Sequence, residues 1–348
     1  MPEIKKIIIT GTHLTPALEL INQLKEDSIN WDITYIGRKY NSSVDSIPSI
    51  ESQTIPNLNI KFYGFQSGKY DRRWLPNTIS GIPQTIKSFL QINKLVKKIK
   101  PDITVSFGGY ISTPVIISSF LNKISSITHE QTNTLSLATK INSFFVNKIA
   151  TSFNSKIKNS KYVITGNLLR REIFDARSKH FESLNIKKPI IYITGGNQGS
   201  AIINQVVDQI LPELSKNYFI IHQTGQQSHI QNQNSLQLNY IDINDIGWVL
   251  NHAKIIISRS GANTCQEIMA LSKNSILIPL KISQQNEQMI NAKIVKKHLP
   301  NQTIIIPEIS FNSQILFDSI NKLSKVKTNN ISNTININYN LLNLIKSF

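Results

Sequence analysis

Apolar and polar positions follow two rhythms along this chain. Short β-branched runs at residues 6–10, 33–36, 103–107 and 126–129 read as strands, and amphipathic stretches at 17–25 and 84–99 lie between them. Such alternation predicts a parallel sheet covered by helices on both faces. The rhythm then restarts, with strands at 190–194, 219–223, 255–258 and 275–279. Two doubly wound sheets in tandem are the economical reading. A strand ending in a Gly-Asn turn at Gly166 and Asn167 places the boundary, giving domains 1–165 and 166–327. Residues 328–348 read as an Asn-rich linker and a short C-terminal helix with Leu341, Leu344 and Ile345 on one side. No repeat with a period of 20 to 50 residues is visible.

A length of 348 residues suits two domains, and 40% hydrophobic residues suffice for their cores. No apolar run reaches the roughly 18 to 20 residues needed to cross a bilayer; serines interrupt residues 114–121. After Lys5 and Lys6 the apolar run Ile7 to Ile9 stops at Thr10 and Gly11, so no signal peptide is expected. One cysteine, Cys265, excludes an intrachain disulfide or a multi-cysteine metal site and fits a reducing compartment. The net charge of +17 attracts either nucleic acid or an anionic membrane. With no zinc-finger spacing, aromatic-basic signature or basic tail, nucleic acid is set aside. The Ile-, Asn- and Lys-rich composition accounts for part of the excess.

Three glycine turns carry candidate chemistry. Gly195-Gly196-Asn197-Gln198-Gly199-Ser200 follows a strand and precedes a helical stretch, where backbone amides and a helix N-terminus could hold a diphosphate. A tight turn without ligand reads equally well, and no P-loop lysine follows. Gly11-Thr12-His13-Leu14-Thr15-Pro16 sits likewise after the first strand. A dinucleotide fold would place an acid at the end of the second strand, but Gly37 and Arg38 stand there, which argues against NAD. His13, on a loop at a strand's carboxyl end, is either structural or a base near pH 7. In the third turn, Ser258 to Glu267, Glu267 is expected in the first helical turn, either capping amides or receiving two ribose hydroxyls. Asn286, Gln288 and Asn291 then place amides suited to sugar hydroxyls within one helical turn.

These blocks, in this order, resemble the MurG family of UDP-GlcNAc:lipid I N-acetylglucosaminyltransferases. The match runs through Gly11-Thr12-His13 with Thr15-Pro16-Ala17, Gly108 to Ser112, His129-Glu130-Gln131, Gly166-Asn167 with Arg170-Arg171-Glu172, and Gly195 to Gly199. It continues in His222 to Gly225, Arg259 to Ala262 with Thr264 and Glu267, and Gln288 with Asn291-Ala292. The resemblance implies a GT-B architecture, two Rossmann-like domains facing a central cleft, with inversion at the anomeric carbon and neither metal nor cofactor. It assigns the donor UDP-GlcNAc to Arg170, Gly196, Asn197, Gln198, Gly199, Ile243, Ala262, Thr264, Glu267, Gln288 and Asn291. Within that set Ile243 would meet uracil, Glu267 the ribose, and Gln288 and Asn291 the sugar ring. It assigns the acceptor lipid I to Thr12, Thr15, Tyr110, Glu130, Gln131 and Asn133, with His13 at the reacting hydroxyl. It also implies a peripheral position on the cytoplasmic face of the bacterial inner membrane, with anionic lipids and other cell-wall synthesis proteins as partners.

The first turn is shorter than the family's G-x-G-G-T-G-G-H and has lost glycines that face the acceptor diphosphate. Thr132 stands where Asn is usual, with Asn133 one place later, and Asn197 replaces a serine. In the predicted helix 84–99, Lys87, Lys94 and Lys98 form a stripe beside an apolar arc that includes Phe89 and Leu90. The resemblance adds Phe120 to that membrane patch; a helix wedged between neighbours is the alternative. Rival functions are a GT-B transferase with another lipid or polysaccharide acceptor, a UDP-GlcNAc 2-epimerase, and a non-catalytic nucleotide-sugar-binding adaptor at the membrane.

Overall fold

Among the described residues two seven-stranded sheets form, one for each run of the strand rhythm. The structure is a computed structural model and describes residues 4–40, 48–66, 82–132, 134–153, 159–196, 199–225, 230–281, 286–327 and 338–348. The chain divides into two units, Met1–Arg170 with Ile337–Phe348, and Arg171–Asn336.

The first sheet contains β1 (Ile4–Gly11), β2 (Asn30–Arg38), β3 (Lys61–Phe65), β4 (Ile103–Phe107), β5 (Ser125–Glu130), β6 (Lys148–Thr151) and β7 (Tyr162–Ile164). Their order is β3-β2-β1-β4-β5-β6-β7 and every pairing is parallel. Parallel neighbours need crossovers. Among the described residues these include α1 (Leu14–Glu26), α2 (Ile50–Asn57), α3 (Ile82–Ile99), α4 (Ser112–Leu121) and α5 (Leu137–Asn142). Side chains of β1 alternate between two cores. Ile7 and Ile9 pack with Leu20 and Leu24 of α1, whereas Ile8 packs with Ile92 and Val96 of α3 and Val115 of α4. Because β1 pairs with both β2 and β4, strand order reverses there, and ligands bind such sheets at the carboxyl ends of the strands flanking that point.

The second sheet contains β8 (Ile190–Thr194), β9 (Phe219–Gln223), β10 (Ile230–Asn232), β11 (Ser235–Leu238), β12 (Ala253–Ser258), β13 (Ser275–Leu277) and β14 (Thr303–Ile305). Its order is β10-β11-β9-β8-β12-β13-β14, parallel except for the β10–β11 hairpin. Helices α6 (Lys179–Glu182), α7 (Ala201–Asn217), α8 (Ile246–His252), α9 (Ala262–Ala270), α10 (Glu287–His298) and α11 (Ser313–Ser324) accompany it. Here the order reverses at β8, between β9 and β12.

The last residues do not stand apart as a tail. Leu341, Leu342 and Ile345 of α12 (Asn340–Lys346) are buried in the same core as Ile7 and Leu20. Lys346 Nζ reaches Asp27 Oδ1 at 2.5 Å, and Asn338 Nδ2 donates to Thr165 O at 2.6 Å. An amphipathic helix this short is unstable alone, and α1 supplies the apolar face it needs.

Candidate active site

In the first unit, the loops after β1, β4 and β5 carry the sequence-predicted acceptor residues. Gly11 has φ +138°, and a Cβ there would fall 2.8 Å from the Phe107 carbonyl carbon, so only glycine lets β1 end this close to β4. Thr12 N donates to Gly108 O at 3.2 Å, which ties the two turns together. A Cβ on Gly109 would lie 2.2 Å from Thr12 Oγ1, so this glycine too is fixed by close approach. Thr12 and Tyr110 are half-buried, and so is Thr15 in the first turn of α1.

His13 is the N-cap of α1 but makes no capping bond with its side chain. The residue keeps exposed surface, yet desolvation by the surrounding protein lowers its pKa from the ordinary imidazole value. The charge of Glu130 opposes that shift, Arg38 adds to it and Glu51 opposes it. The imidazole is therefore neutral near pH 7 and able to accept a proton.

The next acceptor residues behave differently from one another. Glu130 is buried and spends both oxygens on its own loop: Oε1 accepts from Thr132 N at 3.2 Å and Thr132 Oγ1 at 2.9 Å, and Oε2 from Ser136 N at 2.9 Å. Thr132, the departure from the family pattern, is thus the residue that locks Glu130. Gln131 is buried with its Nε2 unpartnered among the described residues. His129 Nε2 lies 3.0 Å from Gly166 O, and its ring is 5.5 Å from that of Phe107. Asn133 lies outside the described residues.

In the second unit, the turn after β8 is drawn tight by its glycines. Gly196 (φ +87°) donates its N–H to Thr194 Oγ1 at 3.0 Å, and its carbonyl accepts from Gly199 N at 3.0 Å and Gln223 Nε2 at 3.3 Å. A Cβ on Gly199 would sit 1.9 Å from Thr224 O. The 17-residue α7 starts immediately afterwards, its dipole adding roughly half a positive charge at that end. Asn197 and Gln198 lie outside the described residues. Arg170, half-buried, is the last residue of the first unit before the division.

Glu267 corrects one expectation. Gly261 is the N-cap of α9 and the helix begins at Ala262, so Glu267 is its sixth residue and no acid lies in the first turn. The free amides of a helix belong to its first four residues, so an N-terminal capping role for Glu267 is excluded. Its side chain is buried, with 4% of the residue exposed. Ala262 and Thr264 are half-buried on the same helix, and Ile243 stands 37% exposed before α8.

Gln288 and Asn291 position loops. Asn291 Nδ2 donates to Ser260 O at 3.2 Å, Ser260 Oγ to Gln288 O at 2.8 Å, and Leu280 N to Gln288 Oε1 at 3.0 Å. Sequence reasoning quoted Arg259 but gave it no role. The structure makes it a three-way brace: Nη2 donates to Ser200 Oγ at 2.9 Å, Nη1 to Ile278 O at 3.2 Å, and Nη1 pairs with Glu308 at 2.5 Å. Glu308, 49 residues on, carried no local signal.

On α3, Ser88, Ile92 and Val96 face the core, while Lys87, Lys94 and Lys98 are exposed. Leu90 (61% exposed), Ile86 (54%) and Phe120 (53%) form exposed apolar positions on α3 and α4, and Phe89 is half-buried. Among the described residues no helix is long and apolar enough to cross a membrane.

Two Rossmann-like sheets, each with a glycine turn after the strand where its order reverses, define the GT-B class of nucleotide-sugar proteins. Residues 7–151 match the glycosyltransferase family 28 N-terminal domain, and residues 190–345 match its C-terminal domain. The UDP-N-acetylglucosamine--N-acetylmuramyl-(pentapeptide) pyrophosphoryl-undecaprenol N-acetylglucosamine transferase of Clostridium novyi is 35% identical, over 94% of this chain and 93% of its own. That of Clostridium tetani is 31% identical over 99% and 98%. Among solved structures, MurG of Acinetobacter baumannii superposes with a TM-score of 0.68 at 19% identity, covering 99% of this chain and all of that one. A UDP-GlcNAc 2-epimerase from Methanocaldococcus jannaschii reaches 0.65 at 13% identity over the same shares, so the fold alone does not choose between the two chemistries. The chain belongs to the MurG family of glycosyltransferase family 28.

Proposed function

We propose that this protein transfers N-acetylglucosamine from UDP-GlcNAc to the 4-hydroxyl of MurNAc in lipid I, forming lipid II for peptidoglycan. The observation that carries this reading is His13, whose uncommitted neutral imidazole sits at the first topological switch point beside two glycine turns. The printed activity of relatives that match over nearly the whole chain supports it. The imidazole takes the proton of the attacking hydroxyl as its oxygen bonds to the anomeric carbon. The bond from that carbon to the β-phosphate oxygen breaks, and its electron pair leaves with UDP. A single displacement of this kind inverts the anomeric centre. Negative charge growing on the leaving diphosphate meets Gly196, Gly199 and the N-terminus of α7, which the Gly199 N–Gly196 O bond and the helix hold in place before the reaction.

Incubating the protein with radiolabelled UDP-GlcNAc and a lipid I analogue, following UDP release and product mass together, tests the proposal. One added HexNAc per acceptor is expected. UDP release only with another lipid or polysaccharide selects the rival transferase, interconversion without acceptor selects an epimerase, and binding without turnover selects an adaptor. Because amides and a helix end carry the diphosphate charge, turnover should survive excess chelator. Loss of activity restored by magnesium or manganese would reject that electrostatic account.

On the same proposal the first unit meets the anionic cytoplasmic face of the inner membrane through α3 and α4. Of the +17 net charge, +12 belongs to this unit, with 22 Lys and Arg against 10 Asp and Glu. Exposed Leu90 and Ile86 beside Lys87, Lys94 and Lys98 suit a surface-lying contact. Each lysine near such a surface contributes about 1 kcal/mol. Reversing all three charges should weaken binding to anionic vesicles and flatten its salt dependence, with little change on a soluble short-chain acceptor. Equal vesicle binding by mutant and parent would remove α3 from the contact.

A further inference from the structure

A buried ion pair beside the first turn has entered the chemistry so far only through its charges on His13. Arg38 ends β2, at the same sheet edge as the Gly11–His13 and Gly108–Tyr110 turns after the neighbouring β1 and β4. Its Nε donates to Glu51 Oε1 at 2.7 Å and its Nη2 to Glu51 Oε2 at 3.1 Å. The Glu51 side chain is fully buried, whereas that of Arg38 retains 19% exposure. A Cβ on Gly37 would meet Glu51 Cγ at 3.2 Å and Tyr35 Cε1 at 2.9 Å, so the glycine before Arg38 makes room for the pair. Tyr35 in turn donates its hydroxyl to Gly11 O at 3.0 Å, fastening β2 to the first turn.

Stability alone does not require a charged pair at this place. A buried ion pair is often replaceable by apolar residues without loss, because desolvation cancels most of the attraction. What the pair does achieve is orientation. Glu51 takes Nε and Nη2 in a two-point grip, which fixes the guanidinium plane and leaves Nη1 outside the pair. The charge is felt nearby, lowering the pKa of His13 and opposing the desolvation that raises that of Tyr110. Within the adjoining turn the Thr12 amide is spent on Gly108 O, so besides Arg38 the donors left for an anion are the free amides at the start of α1.

We propose that Arg38, oriented by Glu51, is the anion-binding residue of the first unit and receives a phosphate or diphosphate group beside His13. One fixed cation then does what a longer glycine turn does with amides. That the anion is the acceptor's diphosphate rests on the transfer reaction proposed above.

The test replaces the pair by two apolar side chains of similar length, Arg38→Met with Glu51→Met, in the full-length protein. Inorganic pyrophosphate is titrated calorimetrically into protein saturated with UDP, so that the donor site is filled. The parent should bind it, and the double variant should bind it roughly tenfold or more weakly while melting like the parent. In steady state, KM for a lipid I analogue should rise by a similar factor with KM for UDP-GlcNAc unchanged. An acceptor lacking the diphosphate should not distinguish the two proteins. Parental pyrophosphate affinity and lipid KM in a folded double variant would make the pair purely structural and overturn the inference, as would a parent with no affinity for pyrophosphate. Failure of the parent to glycosylate lipid I would remove the proposed reaction but leave the pyrophosphate titration to decide on Arg38. Should the double variant not fold, Arg38→Lys keeps the charge and loses the fork; undiminished pyrophosphate affinity there overturns the inference equally.

Discussion

Replacing His13 with alanine should lower kcat by about 100- to 10,000-fold while leaving the affinity for UDP-GlcNAc nearly unchanged. The size follows from the role, since a base positioned to take a proton in the transition state contributes about that factor. The separation from donor binding follows from place: His13 belongs to the first unit, and the turns after β8 and β12 proposed for the donor belong to the second. The structure sharpens the expected pH dependence. Desolvation, the largest influence, holds the imidazole below its ordinary value of 6.5, with Arg38 acting in the same direction and Glu130 and Glu51 against it. A base works when unprotonated, so activity should persist below pH 6.5 and fall only as pH drops through that lowered pKa. In the His13→Ala protein this acid limb should vanish from the kcat profile. A turnover number within about threefold of the parent, or an unchanged acid limb, would dismiss His13 as the base.

Much of this architecture was legible from local pattern, and the exceptions share a cause. Strands 103–107, 190–194 and 219–223 coincide with the observed elements because each is a buried run of β-branched and aromatic residues. The edge strands β3, β10 and β14 and the four-residue β6 and β11 escaped notice. Five residues long and nowhere fully buried, β3 carries no run to detect. The fate of α12 was hidden for another reason: its amphipathic stripe is visible, but the surface it covers, on α1, lies more than three hundred residues away in sequence.

The site divides along the same line. Glycine turns announce themselves because close backbone approach tolerates no other residue, as at Gly11 and Gly199. The side chains that brace those turns do not. Arg259 meets Ser200 and Glu308 across the second sheet, and Arg38 meets Glu51 on α2, a helix with Pro56 inside it and hardly any apolar face. Arg38 entered the sequence argument only as the absence of an NAD-binding acid. Its meaning required the partner that folding supplies.

Glu267→Ala should weaken UDP binding by tenfold or more and leave the fold intact. From sequence, two roles competed for this carboxylate, and the structure removes one of them. As the sixth residue of α9 it is beyond the reach of a cap, while Gly261 starts the helix without any side-chain bond. What remains is a buried acid on the helix that follows the third glycine turn, the position where the family resemblance places a ribose. A carboxylate accepting hydrogen bonds from two hydroxyls contributes roughly 1.5 to 3 kcal/mol per hydrogen bond, which sets the tenfold floor. Glu267→Gln separates charge from shape: it keeps the volume, loses the charge, and should fall between alanine and the parent. Calorimetric titration with UDP, paired with melting curves in its presence and absence, reads both quantities on the same samples. The parent should gain thermal stability from saturating UDP, and the alanine variant should lose most of that gain at equal UDP concentration while its unliganded melting point stays near the parent's. Undiminished UDP affinity in a folded Glu267→Ala protein would take the ribose away from this residue and leave the donor site resting on the Gly195–Gly199 turn.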